Sequence, residues 1–318
     1  MQKVLVTGSV AYDYIMNFPG GFQDHILPDK LHILNVSFVV ETHKKEFGGT
    51  AGNIAYNLSL LKEDPLIATA VGKDFAEYKK HLEKNGANLK YIKEISSDDT
   101  ATAKIITDQK DNQITAFYVG AIKDDNFPVK EILETEKPEL AILAPTNKEG
   151  MLIRAQELKE AGIPYIFDPG QMTPQFSGEE FEEIIAGSHV TIGNDYEIEL
   201  IMRATEKTVK ELADLTEILV TTLGEEGSRI YNKGEVIDVG AAKPKNTSDP
   251  TGAGDAFRAG FIKGLLHKQP LYICGQLGAV TSVYTVEMYG TQTHKFSSEE
   301  FCQRYQENFG EDISKLFS

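Results

Sequence analysis

The stretch that decides the fold reads Asp249-Pro250-Thr251-Gly252-Ala253-Gly254-Asp255-Ala256-Phe257, in which two glycines flank one alanine. Glycine lets the backbone turn tightly and approach a ligand closely. The pattern after this turn is helical, because Phe257, Phe261 and Leu265 recur at i, i+4 and i+8 as one apolar stripe. The glycines are therefore predicted at a helix N-terminus, where unpaired N–H groups and the helix dipole favour an anion.

Asp255 falls in the first turn of this predicted helix, beside the anion-binding amides. Such amides can hold charge that builds on a transferring phosphoryl group, and the aspartate can orient an attacking hydroxyl and accept its proton. An aspartate at a helix N-terminus is expected to have a low pKa and hence to be a weak base. A glycine-rich turn with an ordinary first-turn acid is the other interpretation of the same residues.

The composition is ordinary for a soluble globular protein, with 41% hydrophobic and 25% charged residues in a chain of 318, enough for one large domain or two. The chain carries 32 Lys and Arg against 48 Asp and Glu, a formal net charge of -16. This balance opposes nucleic acid or an anionic membrane as a partner, because both are recognised by basic surfaces. Phosphate chemistry in so acidic a chain needs local positive potential from backbone amides, a few Lys or Arg and a divalent metal.

Cysteine usage and hydropathy predict a cytoplasmic protein. Cys274 and Cys302 are far apart in sequence and form no disulfide framework, so two free thiols in a reducing compartment are expected. No apolar run approaches the length of a membrane span, and the N-terminus runs directly into a strand-like segment.

The first predicted strand, from Lys3 to Gly8, is typical of a buried strand in an α/β sheet. A dinucleotide fold would continue with GxGxxG, but the sequence continues Ser9-Val10-Ala11-Tyr12-Asp13, which argues against a nicotinamide enzyme. We predict that Asp13 closes the turn after this strand and projects from the edge where α/β sheets bind ligands. A purely turn-forming aspartate is the alternative.

A small β-sheet separate from the main sheet is predicted from two regions. Residues from about 14 to 47 break the βα alternation, and Leu31 to Thr42 is rich in β-branched and aromatic residues. Thr100 to Thr107 and Gln113 to Val119 predict a hairpin around a polar turn. Phe117 on its second strand is a candidate to stack on a ring-shaped ligand, although an aromatic residue here is also typical of plain core.

A second glycine motif, Gly48-Gly49-Thr50-Ala51-Gly52-Asn53, precedes another helical pattern. Close approach of the backbone to a ligand explains Gly48 and Gly49. The Asn53 amide can both donate to and accept from a hydroxyl. The alternative is an ordinary helix start capped by Thr50.

From Leu140 onward the βα alternation is regular and contains two further candidate sites. Asn194 and Glu197 lie three apart at a helix start, where they can order water around Mg²⁺ or simply form a capping box. The segment from Gly224 to Gly227 follows a strand. It can run beside the ribose or phosphates of a nucleotide, or it can be a plain turn. The chain contains no GxxxxGK[ST] loop, HRD with DFG, HExxH or GxSxG motif, so P-loop enzymes, protein kinases, zinc proteases and serine hydrolases are not supported.

Together these motifs resemble the ribokinase-like (PfkB) carbohydrate kinase family across essentially the whole chain. The resemblance rests on the two glycine motifs and on Asn194-x-x-Glu197. Within the family, the run from Asp249 to Phe261 is similar to microbial adenosine and nucleoside kinases, as are Gly290-Thr291-Gln292 and the stretch from Asn112 to Phe117. The resemblance implies one kinase domain over residues 1–318, with a central mainly parallel sheet flanked by helices. A small β lid would be formed by segments of about 14–47 and 96–119.

The resemblance also implies residue roles. Asp255 would be the base, and the amides of Gly252, Ala253 and Gly254 would form the anion hole. Asp13, Gly49 and Asn53 match positions that grip ribose hydroxyls, with Gly48 and Phe117 as further substrate-binding candidates. The ATP-binding candidates are Asn194, Thr222, Gly224, Gly227, Ala279 and Ser282. Glu197 would act on Mg²⁺ through water. Some family members hold a monovalent cation near the equivalents of Asp249 and Thr251. Arg258 is a subgroup marker without an assigned role.

The resemblance, together with the chemistry of the glycine turn and Asp255, therefore implies ATP-dependent phosphorylation of the 5′-hydroxyl of adenosine. A sugar kinase for ribose or fructose is the alternative enzyme, and a catalytically silent nucleoside-binding protein is the alternative from another class. Expected partners are the nucleoside or sugar and ATP, with neither nucleic acid nor membrane. The protein is expected as a monomer or as a homodimer formed through exposed strand edges of the lid.

Overall fold

Strands and helices alternate along most of the chain in the computed structural model, which describes residues 1–26, 33, 35–110 and 112–317. The strands in the described residues are β1 Lys3–Thr7, β2 Ala11–Asn17, β3 Thr42–Gly48, β4 Asp64–Gly72, β5 Asn88–Ile95, β6 Ala101–Thr107, β7 Gln113–Tyr118, β8 Leu140–Leu143, β9 Tyr165–Phe167, β10 Val190–Asn194, β11 Ile218–Thr222, β12 Ser228–Asn232 and β13 Glu235–Val239. The α-helices are α1 Thr50–Leu60, α2 Ala76–Lys84, α3 Lys130–Glu136, α4 Lys148–Ala161, α5 Gly178–Gly187, α6 Asp195–Thr205, α7 Val209–Leu215, α8 Ala253–Leu266, α9 Leu271–Val286 and α10 Ser298–Phe309.

The large sheet has nine strands in the order β13-β12-β11-β10-β9-β8-β1-β4-β5. Its strands pair in parallel from β11 to β5, and β12 and β13 add an antiparallel hairpin at one edge. β1 and β8 consist mostly of buried apolar residues, as expected for strands that helices cover on both faces of the sheet. Parallel pairing brings the carboxyl ends of these strands to one edge, where the glycine motifs also lie.

Helices pack on the two faces of this sheet around two apolar cores. Side chains of one strand alternate between the cores, since Val4 and Val6 belong to one and Leu5 belongs to the other. The first core includes Phe257 and Phe261 of α8, so the apolar stripe predicted after the glycine turn is buried as expected. No helix in the described part of the chain is long and apolar enough to cross a membrane.

The small sheet has four strands in the order β3-β2-β6-β7. The predicted hairpin of β6 and β7 is present, with Ala103 opposite Phe117. β2 pairs with both neighbours, which places Asp13 opposite Glu46 on β3 and opposite Ala103 on β6. Asp13 thus lies within a strand, and the prediction that it closes the turn after β1 was wrong.

The strand-like character predicted for residues 31–42 was also wrong where it can be checked. Residues 27–32 and 34 lie outside the described residues, and residues 35–41 contain no strand. Instead of forming a strand, Phe38 of this stretch packs in an aromatic cluster with Phe18 and Phe22, at ring-centroid distances of 5.0 Å. The strand instead begins at Thr42.

Candidate active site

The turn before α8 has the geometry that its glycines require. Gly252 is the N-cap of α8 with a φ of 78°, in the left-handed region, and a β-carbon there would lie 2.9 Å from Thr291 Cγ2. The Asp249 side chain shapes the turn by accepting hydrogen bonds from the amides of Thr251 at 2.9 Å and Gly290 at 3.2 Å. The glycine motif therefore forms a helix N-terminus, as the sequence predicted.

The three amides predicted to form the anion hole differ in their availability. The Ala253 amide donates to the Pro250 carbonyl at 3.2 Å. Within the described chain, the amides of Gly252 and Gly254 donate no hydrogen bond to the protein. Because unpaired amides at a helix N-terminus attract anions, Gly252 and Gly254 are the two of the three predicted amides that are free to bind one.

Asp255 lies in the first turn of α8 and accepts a hydrogen bond from Asn53 Nδ2 at 2.8 Å. Burial raises the pKa of Asp255 to about 6, even though Arg258 and the Asn53 bond favour its charged form. The expectation of a low pKa was wrong, because loss of hydration outweighs the helix dipole here. A carboxylate with a pKa near 6 is a better proton acceptor than an ordinary aspartate.

Asn53 is held in one orientation by buried side chains from the segment after α9. Its Oδ1 lies 2.7 Å from Thr291 Oγ1 and accepts from Gln292 Nε2 at 2.9 Å. Because Oδ1 faces these donors, the Nδ2 group must point towards Asp255. One of the two N–H groups of Nδ2 remains for another acceptor.

A second layer of contacts holds Gln292. Its Oε1 lies 3.1 Å from His81 Nε2, and its Nε2 contacts the hydroxyl of Tyr78 closely. Tyr78 in turn donates to the Gly48 carbonyl at 2.7 Å. The sequence analysis did not identify Tyr78 or His81, although Gly290-Thr291-Gln292 was a subgroup marker and so pointed to this segment.

Asp13 faces the same space as Asp255 and is accommodated by Gly48. A β-carbon at Gly48 would lie 2.1 Å from Asp13 Oδ2, so a larger residue cannot occupy this position. Burial, with added repulsion from Asp255, Asp249 and Glu46, raises the pKa of Asp13 to about 7. The two predicted site aspartates are thus brought together, as the sequence-based roles require.

Gly49 and Thr50 complete the start of α1. Gly49 is the N-cap with a φ of 83°, and a β-carbon there would lie 2.6 Å from both the Ala11 amide nitrogen and the Ser9 carbonyl oxygen. No side chain caps α1, so the alternative in which Thr50 is the cap was wrong. Thr50 is the first helical residue, and its Oγ1 accepts from the Ser9 amide at 3.2 Å.

Phe117 lies on the Asp13 face of the small sheet. It is directly opposite Ala103, which is opposite Asp13, and residues opposite one another in a sheet project to the same side. Its side chain is half exposed. Phe117 is therefore not plain core, and it is placed where an aromatic ring can cover a ligand bound at Asp13.

The candidate ATP residues gather at the carboxyl ends of β10 and β11. Asn194 and Thr222 are direct neighbours in the strand register. Gly224 and Gly227 follow with positive φ values of 57° and 95°, and a β-carbon at Gly227 would lie 2.1 Å from the Val239 carbonyl oxygen. Gly227 therefore lets this turn pack directly against the end of β13.

Ala279 and Ser282 lie on α9, which packs against α8. Ala279 is buried. Ser282 Oγ lies 2.8 Å from the Ala253 carbonyl oxygen, to which it can donate. Ser282 therefore links α9 to the first turn of α8.

Glu197 and Asn194 form the capping box that was one of the two predicted interpretations. The Asn194 side chain accepts from the Glu197 amide at 2.7 Å, and Glu197 Oε2 accepts from the Asn194 amide at 2.8 Å. Among the described residues no group of three or more His, Cys, Asp and Glu side chains could hold a metal. Mg²⁺ usually keeps several waters and binds one or two carboxylates together with phosphates, so the donors here fit a water-mediated contact by Glu197.

A buried ion pair lies beside the N-terminal turn of α8. Arg258 Nη2 of α8 lies 2.7 Å from Oδ1 of Asp168, which follows β9, and Arg258 Nε also contacts Oδ2 of the same carboxylate. Arg258 Nη2 lies 3.9 Å from Glu197 Oε2. This ion pair connects α8 with the ends of β9 and β10. No local sequence pattern predicts that Arg258 and Asp168 pair.

Comparisons with known proteins cover nearly the whole chain. The pfkB family of carbohydrate kinases matches residues 1–297. A nucleoside kinase of Methanocaldococcus jannaschii is 30% identical over 311 residues, which span 97% of this chain and 98% of that protein. A solved structure of a Methanocaldococcus jannaschii nucleoside kinase, described as an archaeal member of the ribokinase family, aligns with a TM-score of 0.84 at 29% identity over 96% of this chain and 99% of that one. The structure of Burkholderia thailandensis nucleoside kinase in complex with inosine aligns with a TM-score of 0.89 at 35% identity over 97% of this chain and 99% of that one.

Proposed function

Since this chain belongs to the pfkB family of carbohydrate kinases and has the ribokinase-like fold, we propose that it is a purine nucleoside kinase whose acceptor is adenosine. Family membership makes it an ATP-dependent phosphotransferase that acts on a hydroxyl group. The observation that carries the finer proposal is the meeting of Asp255, Asn53 and Asp13 in one space at the N-terminus of α8. The inosine complex of the Burkholderia relative supports a purine nucleoside in this role.

The transfer proceeds in line from ATP to the acceptor. The nucleoside O5′ attacks the γ-phosphorus, the bond from that phosphorus to the β–γ bridging oxygen breaks, and ADP leaves. Asp255 accepts the proton of the 5′-hydroxyl as this bond forms. The free amides of Gly252 and Gly254 face the charge that develops on the transferring group.

The acceptor side uses groups that the fold holds rigid. The remaining N–H of Asn53 donates to a ribose hydroxyl, and the carboxylate of Asp13 accepts from one. Gly48 accommodates the Asp13 carboxylate, and Gly49 lets the start of α1 pack against Ser9 and Ala11. Phe117 covers the base from the lid, where an aromatic face suits a purine better than a free sugar.

The ATP side lies at the ends of β10 and β11. Asn194, Thr222, Gly224 and Gly227 border the nucleotide, and Ala279 and Ser282 line its adenine end from α9. Mg²⁺ bound with ATP would supply positive charge that offsets the phosphate charge. Glu197 would hold water for that ion with the carboxylate oxygen that the capping box leaves free.

The test is a comparison of initial rates with Mg·ATP on adenosine, inosine, cytidine, ribose and fructose. We expect adenosine to be preferred, and we expect Asp255→Asn to lose most turnover while it still binds adenosine in calorimetry. The asparagine has nearly the same shape as the aspartate and keeps one acceptor oxygen for Asn53, but it has no charge and cannot accept the proton. A preference for ribose or fructose would replace the nucleoside with a sugar, and binding without turnover on every acceptor would favour a silent nucleoside-binding protein.

We also propose that two copies associate through the lid. Strand β7 is an edge of the small sheet, and all six of its residues are exposed. An exposed edge strand offers unpaired N–H and C=O groups to a second chain.

A further inference from the structure

Arg258 is a buried cation that the proposed reaction does not yet use. Only 7% of the residue is exposed. Long side chains on a helix point back towards its N-terminus, over the residue four positions earlier. Accordingly, a β-carbon at Gly254 would lie 2.8 Å from Arg258 Nη1. The guanidinium therefore lies directly beside the turn whose amides form the anion hole.

The surroundings of this guanidinium are strongly acidic. It pairs with Asp168, lies 3.9 Å from Glu197, and interacts electrostatically with Asp255. Burying an arginine is costly unless a partner balances its charge, and Asp168, itself 1% exposed, is that partner. Within the described residues Nη1 has no hydrogen-bond partner, so one edge of the fork remains available on the side of Gly254.

Asp168 does more than balance the charge. Nη2 hydrogen-bonds to one oxygen of its carboxylate and Nε lies in ion-pair contact with the other, so the orientation of the guanidinium is restrained. Without this anchor the guanidinium would be attracted to Asp255, three residues earlier on the same helix. A direct pair between those two would occupy the carboxylate that must accept the hydroxyl proton.

We propose that Arg258, anchored by Asp168, is a positioning residue for phosphoryl transfer that places a fixed positive charge beside the anion hole. This inference rests on the proposed transfer at the N-terminus of α8. A preorganised charge in a poorly hydrated site stabilises the negative charge of the transferring group more than a mobile surface lysine could. It also supplies local positive potential in a chain whose formal net charge is -16.

The test compares three variants with the wild-type protein on whichever acceptor the wild-type protein phosphorylates best. Arg258→Met removes the charge, Arg258→Lys keeps a charge but loses the fork, and the double variant Asp168→Asn/Arg258→Met removes both charges of the pair. For each we would measure kcat, the acceptor KM, acceptor binding by calorimetry and the melting temperature. The double variant is the control for folding, because replacing both members of a buried ion pair costs far less stability than leaving one unpaired.

We expect Arg258→Met to lower kcat by about 100-fold, as removal of an oxyanion-hole donor does, with a much smaller change in acceptor KM. The double variant should recover the melting temperature but not kcat, and Arg258→Lys should restore part of kcat. A double variant in which kcat recovers together with the melting temperature would make Arg258 purely structural and overturn the proposal. Loss of folding in both Met variants would lead to the same conclusion.

The assignment of the acceptor is tested separately. If the wild-type protein prefers a sugar, or if Asp255→Asn keeps its turnover, the proposed function fails in that respect. The ratio of kcat between the wild-type protein and the Arg258 variants still measures the role of Arg258 on the acceptor that is used.

Discussion

The pKa of the Asp255 carboxyl group is set by interactions that act in opposite directions. The N-terminus of α8, the Asn53 hydrogen bond and Arg258 favour its charged form, whereas burial and the nearby Glu197 favour its neutral form. Burial is the largest effect, and the pKa rises to about 6. The residue is thus ionised at neutral pH and still basic enough to take a proton from a hydroxyl.

We predict that kcat/KM for the nucleoside falls as the pH is lowered through 6. Below that value Asp255 is protonated in the free enzyme and cannot accept the hydroxyl proton, so the rate drops about tenfold per pH unit for one group. Asp13, whose pKa is raised to about 7, adds a second ionisation, and the two values belong to the coupled pair. The measurement is a pH–rate profile from pH 5 to 8.5.

The variant Asp13→Asn separates the two ionisations. It should reduce the slope of the acid limb to that of a single group near pH 6, because Asp255 alone still titrates there. The acceptor KM should rise while the ATP KM stays nearly constant. A profile that is flat down to pH 5 in the wild-type protein would contradict the base role of Asp255.

At the scale of single elements, α1 and the segment after α9 act together through Asn53. Thr291 and Gln292 are almost completely buried and fix which end of the Asn53 amide faces Asp255. Asn53 and Asp255 are 202 positions apart in sequence, so their contact depends on the packing of α1 against α8. These hydrogen bonds therefore fix the donor that Asn53 presents to Asp255.

We predict that Gln292→Glu lowers kcat/KM for the acceptor by about tenfold or more, the cost of one or two hydrogen bonds in a buried site. The carboxylate cannot donate to Asn53 Oδ1, so the amide is driven to flip and to turn its oxygen towards Asp255. The ATP KM should change little, since the network lies on the acceptor side. Gln306→Glu makes the same chemical change at an exposed position on α10 and serves as the matched control. Equal losses in both variants would exclude a specific role for Gln292.

Local signals made some elements predictable from the sequence. Helix α8 was predicted because a glycine turn and a helical apolar period are both short-range patterns, and the capping box of Asn194 and Glu197 follows the same rule. Strand β3 was missed because Thr-His-Lys-Lys-Glu at an exposed edge carries no alternating apolar pattern. The apolar residues just before it were mistaken for the strand.

Contacts between residues far apart in the chain could not be predicted from the sequence. The pairing of Arg258 with Asp168 joins positions 90 apart, and the raised pKa of Asp255 depends on how completely other elements exclude water from it. Composition and spacing describe neither effect. Asp13, Gly48, Gly49 and Asn53 were candidates because they lie in or near a motif, whereas Tyr78 and His81 on α2 have no motif around them.

At the scale of the whole molecule, the edge strands β13 and β7 of the two sheets differ in how completely they are exposed. The antiparallel hairpin of β12 and β13 forms one edge of the large sheet, whereas the small sheet ends in β7, which is exposed along its length. Ile114, Phe117 and Tyr118 on β7 are each at least 38% exposed. An apolar edge of this kind is a template for pairing with another chain.

We predict that the protein is a homodimer that associates through β7, with a mass in light scattering of twice the 35.2 kDa chain. Ile114→Lys should convert it to the single-chain mass, because a lysine on an edge strand opposes pairing. Ile114 is opposite Ile106 and projects from the face of the small sheet away from Asp13, so the substitution leaves the acceptor side untouched. Val236→Lys, on the exposed edge strand β13, is the matched control and should remain dimeric. A wild-type mass of 35.2 kDa would rule out the dimer, and a dimer that survives Ile114→Lys would move the interface away from β7.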